Sequence, residues 1–210
     1  KLGVLCSGRG TDLQSIMDAI NNGEVAADIA VVLTDKPDAF ALERAASAGI
    51  KAVCVNRKQF DGRESFEQAL VSELQASGVT LVVLAGFMRI LTPYFVRQYA
   101  GRIMNIHPAL LPSFPGAHAH RDVLAYGVKV SGCTVHFVTE GVDEGPIIIQ
   151  AAVPIVEGDT ADTLAARILE HEHRIYPRAI QLYAEGRLRV EGRRVVVSDP
   201  PQPAVGFQYP

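Results

Sequence analysis

The fold class is indicated first by the amino-terminal stretch Leu2-Gly3-Val4-Leu5-Cys6-Ser7-Gly8-Arg9-Gly10-Thr11-Asp12-Leu13. Its first residues form a short apolar run that predicts a buried strand, and residues 11–20 show the apolar spacing of an amphipathic helix. Two glycines between them allow a tight turn. A strand that runs through such a turn into a helix is the first half of a βαβ unit.

The same alternation continues along the first half of the chain. Strands are predicted over residues 28–33, 51–55, 79–84 and 102–106, and helices over residues 39–48, 63–76 and 93–99, the last with Thr92 as N-cap and Pro93 in its first turn. This order is typical of an α/β fold of Rossmann type, with a mostly parallel central sheet and helices on both faces. We therefore expect the chemistry at the carboxyl ends of the strands.

The pattern changes after residue 105. Three prolines in residues 105–116 predict an ordered loop. Residues 128–138 and 146–153 are predicted to be antiparallel strands, followed by a helix over 161–184 that is interrupted or restarted at Pro177. Two short strands follow, over 188–190 and 194–197. We expect one domain over residues 1–197 and a Pro-rich C-terminal tail over 198–210, with no linker that divides the chain.

Composition excludes several classes of protein. The chain has 210 residues and a net charge of −3, so nothing favours nucleic acid or an anionic membrane as partner. No apolar run approaches a membrane span, which predicts a soluble, cytoplasmic protein with small-molecule partners. Cys6, Cys54 and Cys133 lie in strand-like stretches without a C-x-x-C pair, so we interpret them as core residues.

The glycine-rich turn before the first helix predicts an anion site, because free N–H groups and the positive end of the helix dipole point at it. Leu13 stands where the dinucleotide fingerprint needs a third glycine, so a lone phosphate fits better than NAD. The alternative is a turn in which Thr11 or Asp12 only caps the helix.

Arg89 is the single charge in the apolar segment 79–91. Its guanidinium must reach solvent, a carboxylate or a ligand anion. The apolar residues around it suit a flat aromatic ligand, although core packing explains most of them as well.

The segment Asn105-Ile106-His107-Pro108 carries more information. Pro108 keeps His107 extended, so Asn105 and His107 share one face of the strand, roughly 6.6 Å apart. An amide and an imidazole can stabilise an oxyanion and move a proton, as acyl transfer requires. The alternative is a polar pair that only anchors the proline-rich loop.

Candidate acids follow later in the chain. A carboxylate beside a histidine favours the imidazolium form, and Asp143, Glu144 and Glu140 are equal candidates on sequence. Glu172 borders the apolar stripe of a predicted helix. It either faces a cleft or is an ordinary surface residue. The histidines at 118 and 120, and at 171 and 173, have a spacing that diverges on a helix, so no metal site is expected.

Four segments taken together resemble the folate-dependent formyltransferases. They are Ser7-Gly8-x-Gly10, the run Val-Leu-Ala-Gly-Phe-Met-Arg-Ile-Leu over 83–91, Asn105-Ile106-His107-Pro108-x-Leu110-Leu111-Pro112, and Asp143-x-Gly145-Pro146. The Asn-x-His loop with its distant aspartate marks the family, and the 83–91 run indicates its purine-synthesis branch. The similarity extends from residue 1 to about residue 190.

The resemblance implies a Rossmann-like formyltransferase fold and transfer of the formyl group of 10-formyltetrahydrofolate, a cosubstrate, to the amine of 5-phosphoribosylglycinamide. It implies that Asn105, His107 and Asp143 are catalytic, and that Gly10, Thr11, Asp12 and Glu172 bind the phosphoribosyl substrate. The residues implied for the folate are Arg63, Met88, Arg89, Ile90, Leu91, Asn105, Thr139, Glu140, Gly141, Val142 and Asp143, with Arg63 near the glutamyl tail. A monomer or a homodimer is expected.

Asp12 departs from the family pattern, which commonly has asparagine there. A carboxylate repels a phosphate unless it turns away as a helix cap, although Arg9 can offset its charge.

Two other functions compete. A formyltetrahydrofolate deformylase gives the formyl group to water, and its relatives usually carry an extra N-terminal domain. A non-catalytic nucleotide-binding module would use only the glycine turn.

Overall fold

The computed structural model describes residues 1–199 as a nine-stranded sheet with six α-helices and one short 3₁₀ helix. The strands are β1 (Leu2–Cys6), β2 (Ile29–Thr34), β3 (Ala52–Cys54), β4 (Leu81–Leu84), β5 (Ile103–His107), β6 (Val130–Phe137), β7 (Ile147–Pro154), β8 (Leu188–Glu191) and β9 (Arg194–Val197). The helices are α1 (Thr11–Asn21), α2 (Ala41–Ser47), α3 (Arg63–Ala76), α4 (Pro93–Gln98), α5 (Ala119–Tyr126) and α6 (Ala161–Ala184), and the 3₁₀ helix is Arg57–Gln59.

The sheet confirms the predicted fold class. Its strand order is β3-β2-β1-β4-β5-β6-β7-β9-β8. The first five strands in the chain are parallel to one another, whereas β6 is antiparallel to both β5 and β7. The order of the strands in the chain changes direction at β1, which lies between β2 and β4. Because β1, β4 and β5 are parallel, their last residues lie at the same edge of the sheet.

Alternate residues of the strands pack into two separate hydrophobic cores. In β1, Val4 packs with helices α1, α2 and α6 on one face, and Leu5 packs with α3 and α4 on the other. This period-two alternation of fully buried residues is what a parallel sheet covered on both faces requires. Around β1 both faces are therefore covered, and a ligand can reach this part of the sheet only at its ends.

Helix α6 continues through Pro177, so the predicted interruption was wrong. A proline inside a helix removes one backbone donor, but packing outweighs this loss because the same turn is buried. Tyr176 and Ile180 belong to the core on this face. The Tyr176 hydroxyl lies 2.9 Å from the carbonyl oxygen of Leu84 and 3.0 Å from that of Met104, which fixes α6 to β4 and β5.

Three smaller features complete the comparison with the sequence. Helix α5 was not predicted, and it buries only Ala119 and Val123. The three cysteines lie on strands as expected and are free thiols, with Cys6 and Cys133 buried and Cys54 half-buried. Of the predicted tail, the amide of Ser198 donates to the Arg187 carbonyl at 2.9 Å, and residues 200–210 lie outside the described residues.

Within residues 1–199, no helix combines the length and the apolar character that crossing a membrane requires.

Candidate active site

His107, the last residue of β5, is buried with only 4% of its surface exposed. Its Nε2 donates to the carbonyl oxygen of Phe114 at 2.7 Å, because a carbonyl can only accept. Its Nδ1 lies 3.4 Å from Oδ2 of Asp143. Both ring nitrogens therefore face oxygen atoms that can accept a hydrogen bond.

The loop after β5 is ordered, as predicted, by hydrogen bonds to the neighbouring strands. The Thr134 hydroxyl donates to the Ala109 carbonyl at 2.7 Å and accepts from the Leu111 amide at 3.1 Å. Gln150 donates to the Leu111 carbonyl at 2.9 Å. These bonds fix the path of the loop that carries Phe114 to His107.

Asp143 is the acid that reaches His107. Its backbone has a φ of 55°, in the left-handed region, and its Oδ2 accepts from the Gly116 amide at 2.8 Å. Glu140 instead pairs with Arg97 at 3.0 Å on the surface. Of the acids that the sequence left open, the structure brings Asp143 to the imidazole.

His136 is a site residue that sequence reasoning missed. It lies opposite Asn105 in the β5–β6 register, and its Nε2 is 3.2 Å from Nδ2 of Asn105. Its Nδ1 donates to the Phe137 carbonyl at 2.9 Å, and its Nε2 lies 3.8 Å from Oδ1 of Asp143. Burial lowers the pKa of His136, which keeps the ring neutral and its Nε2 free to accept from the amide.

A cleft of about 250 Å³ opens at this end of the sheet. It brings together Asn105, His107 and Asp143 with most of the residues predicted for the folate. Met88 and Ile90 are exposed beside it, 71% and 60% respectively, so apolar surface is available to a flat ligand. The predicted folate residues that line the cleft are Met88, Arg89, Ile90, Leu91, Asn105, Thr139, Glu140, Gly141, Val142 and Asp143.

Arg63 does not line this cleft but a second cavity of about 410 Å³ that adjoins it. Arg63 is exposed at the start of α3, and its Nη2 donates to the Ile90 carbonyl at 2.5 Å. Arg89 lines both cavities. Of the partners considered for Arg89, the structure provides a carboxylate, since its Nε lies 2.5 Å from Oδ2 of the buried Asp35.

The residues predicted for the phosphoribosyl substrate form a separate group that lines neither cavity. Gly10 is the N-cap of α1 with a φ of 68°, and no side chain caps this helix. Neither Thr11 nor Asp12 therefore caps this helix with its side chain.

Asp12 and Glu172 are both buried in this second group. Burial raises the pKa of Asp12 to about 6, and burial together with the charge of Asp12 raises the pKa of Glu172 to about 8. Oδ1 of Asp12 lies 3.7 Å from Nε2 of His173, and neither atom has a hydrogen-bond partner. Glu172 is thus not an ordinary surface residue.

No group of three metal-ligating side chains occurs within residues 1–199. The main cleft instead offers an amide donor, an imidazole and a carboxylate next to apolar surface. Such a set can stabilise negative charge that develops on a carbonyl oxygen.

Comparison with known proteins agrees with this geometry. Residues 1–180 match the family described as formyl transferase. Phosphoribosylglycinamide formyltransferase of Escherichia coli (strain K12) is 47% identical over 89% of this chain and 88% of its own length. The trifunctional purine biosynthetic protein adenosine-3 of Drosophila pseudoobscura pseudoobscura is 48% identical over 90% of this chain, which spans 14% of that protein.

A solved structure is similar as well. The glycinamide ribonucleotide transformylase 1 from Symbiobacterium toebii superposes with a TM-score of 0.93 and 55% identity, covering 94% of this chain and 93% of its own. The similarity to these proteins, in sequence and in structure, therefore extends over nearly all of the described residues. This chain belongs to the formyl transferase family.

Proposed function

We propose that this enzyme transfers the formyl group of 10-formyltetrahydrofolate to the amine of 5-phosphoribosylglycinamide, a step of purine biosynthesis. The observation that carries the proposal is the convergence of Asn105, His107 and Asp143 on one cleft with an apolar rim. The names of the similar proteins support the choice of acceptor.

Asn105 and His107 act on the oxygen of the formyl group. As the amine nitrogen bonds to the formyl carbon, the carbonyl electron pair moves to oxygen, and one N–H of Asn105 donates to this oxyanion. The charge of a doubly protonated His107, balanced by Asp143, stabilises the same oxygen through space. Collapse of the intermediate breaks the bond to the folate nitrogen, which gains one proton as the amine loses one.

The remaining residues bind the two substrates. Gly10, Thr11 and Asp12 contact the phosphate or ribose at the start of α1, where the helix dipole favours an anion, and Glu172 contacts the ribose. The pterin enters the main cleft beside residues 88–91 and 139–143, and Arg63 lies near the glutamyl tail. We further propose a cytoplasmic monomer or homodimer.

Replacement of His107 tests its role in formyl transfer. Because electrostatic stabilisation of a developing oxyanion contributes about a hundredfold or more, His107→Ala should lower the rate of formyl transfer by at least that factor. The measurement is steady-state formation of the formylated amine, with circular dichroism to check folding. His118→Ala, which changes an exposed histidine outside the cleft, is the matched control and should retain activity.

The same assay separates the competing functions. Formate release that does not depend on the amine would identify a deformylase. Nucleotide binding without turnover would identify a binding module. Normal turnover by His107→Ala would remove the role assigned to that residue.

A further inference from the structure

The first turn of α1 has backbone donors that no group of the described chain uses. The amide of Gln14 is the first to bond within the helix, at 3.0 Å from the carbonyl oxygen of Gly10. Within residues 1–199, the amides of residues 11–13 have no acceptor, and no side chain caps them. They lie at the positive end of the helix dipole, so this end of α1 is suited to an anion.

The side chain of Asp12 is buried at the same end of α1 and lacks a hydrogen-bond partner. The residue is 9% exposed, and its Oδ1 accepts no hydrogen bond. Nε2 of His173 lies 3.7 Å from this oxygen, too far for a hydrogen bond, and is itself without a partner. Unpaired buried polar atoms are rare, and a missing proton or ligand is one physical reason for them.

Little positive charge stabilises the Asp12 carboxylate. Of residues 1–199, His173 is the one basic residue with a nitrogen within 4.0 Å of it, and Arg9 is exposed in the preceding turn. Burial lowers the pKa of His173, which keeps its ring neutral at pH 7. The other titratable groups that face Asp12 are acids: Cys6 of β1, Cys133 of β6, and Glu172 and Tyr176 of α6. Burial raises the pKa of all four, so at pH 7 each is mostly neutral.

A phosphate at these amides brings negative charge next to the Asp12 carboxyl, because one of the amides belongs to Asp12 itself. Two unit charges about 4 Å apart near a protein surface repel by an amount that corresponds to roughly a thousandfold in affinity. Burial raises the pKa of Asp12 to about 6, so protonating it at pH 7 costs only about tenfold. An exposed aspartate, with a pKa of about 3.9, would lose about a thousandfold for the same proton. The protonated carboxyl is therefore the form that tolerates the phosphate.

We propose that the phosphoribosyl substrate binds at the start of α1 together with one proton from solvent, which Asp12 takes up. An O–H bond forms on the carboxylate, and the neutral carboxyl then donates a hydrogen bond to a phosphate oxygen. The inference rests on the proposed function, which places the phosphate at this helix end. Because the pKa of Glu172 is about 8, that residue is mostly protonated at pH 7 before the substrate binds, and the uptake falls on Asp12.

Calorimetry of ribose 5-phosphate binding to the intact chain counts this proton without any formyl transfer. The observed enthalpy at pH 7 is measured in PIPES and in Tris, whose ionisation enthalpies differ, and the difference gives the number of protons taken up. The wild-type protein should take up about one proton, and its affinity should fall about tenfold from pH 7 to pH 8. Asp12→Asn keeps a donor that needs no proton, so it should take up close to none and bind about tenfold more tightly at pH 7.

Asp162→Asn is the matched control, because Asp162 is the second residue of α6, as Asp12 is of α1, but is exposed. It should keep the proton uptake and the affinity of the wild-type protein. His173→Gln should also keep the uptake, since the proton goes to the carboxyl and not to the neighbouring ring.

Three results would overturn the inference. Uptake that persists in Asp12→Asn would mean that the phosphate or another group carries the proton. Loss of the uptake in His173→Gln would assign the proton to the imidazole. Binding by the wild-type protein without any uptake would leave Asp12 ionised. If neither the wild-type protein nor Asp12→Asn bound ribose 5-phosphate, the placement of this substrate in the proposed function would be wrong, and the inference would fall with it.

Discussion

A hydrogen bond to His136 orients the side chain of Asn105. Because Nδ1 of His136 donates to the Phe137 carbonyl, the neutral ring presents Nε2 as an acceptor to the Asn105 amide. Burial lowers the pKa of His136, so its ring stays neutral to a lower pH than the ring of an exposed histidine. One amide proton of Asn105 is therefore donated to His136, and the other can donate to a ligand in the cleft.

This geometry predicts a positioning role for His136. His136→Asn removes the acceptor at the Nε2 position and should lower kcat about tenfold to hundredfold, less than the loss of an oxyanion donor itself, with KM changed little. His136→Gln places an amide oxygen near the lost nitrogen and should restore most of the rate. Equal losses in the two variants, or a change in KM alone, would show a merely structural role.

The site residues differ in how far the sequence predicts them. Pro108 fixes the extended geometry of His107, so a local rule is enough to place Asn105 and His107 on one face. Asp143 could not be chosen over its neighbours, because a left-handed residue in a turn has no pattern of its own. His136 was missed because a histidine in an apolar strand resembles a core residue, and only the register of β5 against β6 pairs it with Asn105.

Side-chain contacts around the first turn of α6 hold the start of this helix in place. The Thr160 hydroxyl accepts from the amide of Thr163 at 3.2 Å, and the Thr163 hydroxyl accepts from the amide of Thr160 at 2.9 Å. Asp159 accepts from both terminal nitrogens of Arg167, at 2.7 and 2.8 Å. These contacts fix the start of the helix that carries Glu172 and Tyr176.

Removing the cap should therefore destabilise the protein measurably. Thr160→Ala leaves the Thr163 amide without its acceptor and should lower the free energy of unfolding by about 1 kcal/mol. Urea denaturation monitored by circular dichroism measures the change. Thr160→Ser keeps the hydroxyl and should lie close to the wild-type value. A similar loss in both variants would mean that the methyl group, rather than the cap, stabilises this end of α6.

The elements that the sequence predicted well are those with strong periodicity. The bounds of α3 agree at both ends with the predicted 63–76, because its apolar positions recur at helical spacing. The two errors have opposite causes. Pro177 disfavours a helix locally but is overruled by the packing of its turn, whereas α5 is a short helix whose burial depends on its contact with α6.

Folding brings together carboxyl groups that are far apart in the chain. Asp12 lies near the start of α1 and Glu172 in the middle of α6, and α1 packs on α6 across one face of the sheet. Both groups are buried, so the protonated form of each is favoured in the folded state. Proton binding is therefore linked to the stability of the whole fold.

The sign of this linkage follows from the raised pKa values. A carboxyl group that titrates at a higher pH when folded contributes stability that is complete below its unfolded pKa, about 4.3 for glutamate, and is lost as the pH rises through the folded pKa. For Asp12 that value is about 6 and for Glu172 about 8. His136 and His173 have lowered pKa values and act in the opposite direction, but only below the unfolded pKa of histidine, about 6.5.

Between pH 6.5 and pH 8, Glu172 should therefore dominate the change. We expect the free energy of unfolding, measured in urea without substrates, to fall with rising pH in this window, by no more than about 1.4 kcal/mol per pH unit for one proton. Glu172→Gln cannot ionise and should flatten the decline. Glu170→Gln changes an exposed carboxyl on the same helix and should keep the wild-type slope. If Glu172→Gln declined as steeply as the wild-type protein, Glu172 would already be ionised at pH 6.5, and its burial beside Asp12 would not control the alkaline stability of the fold.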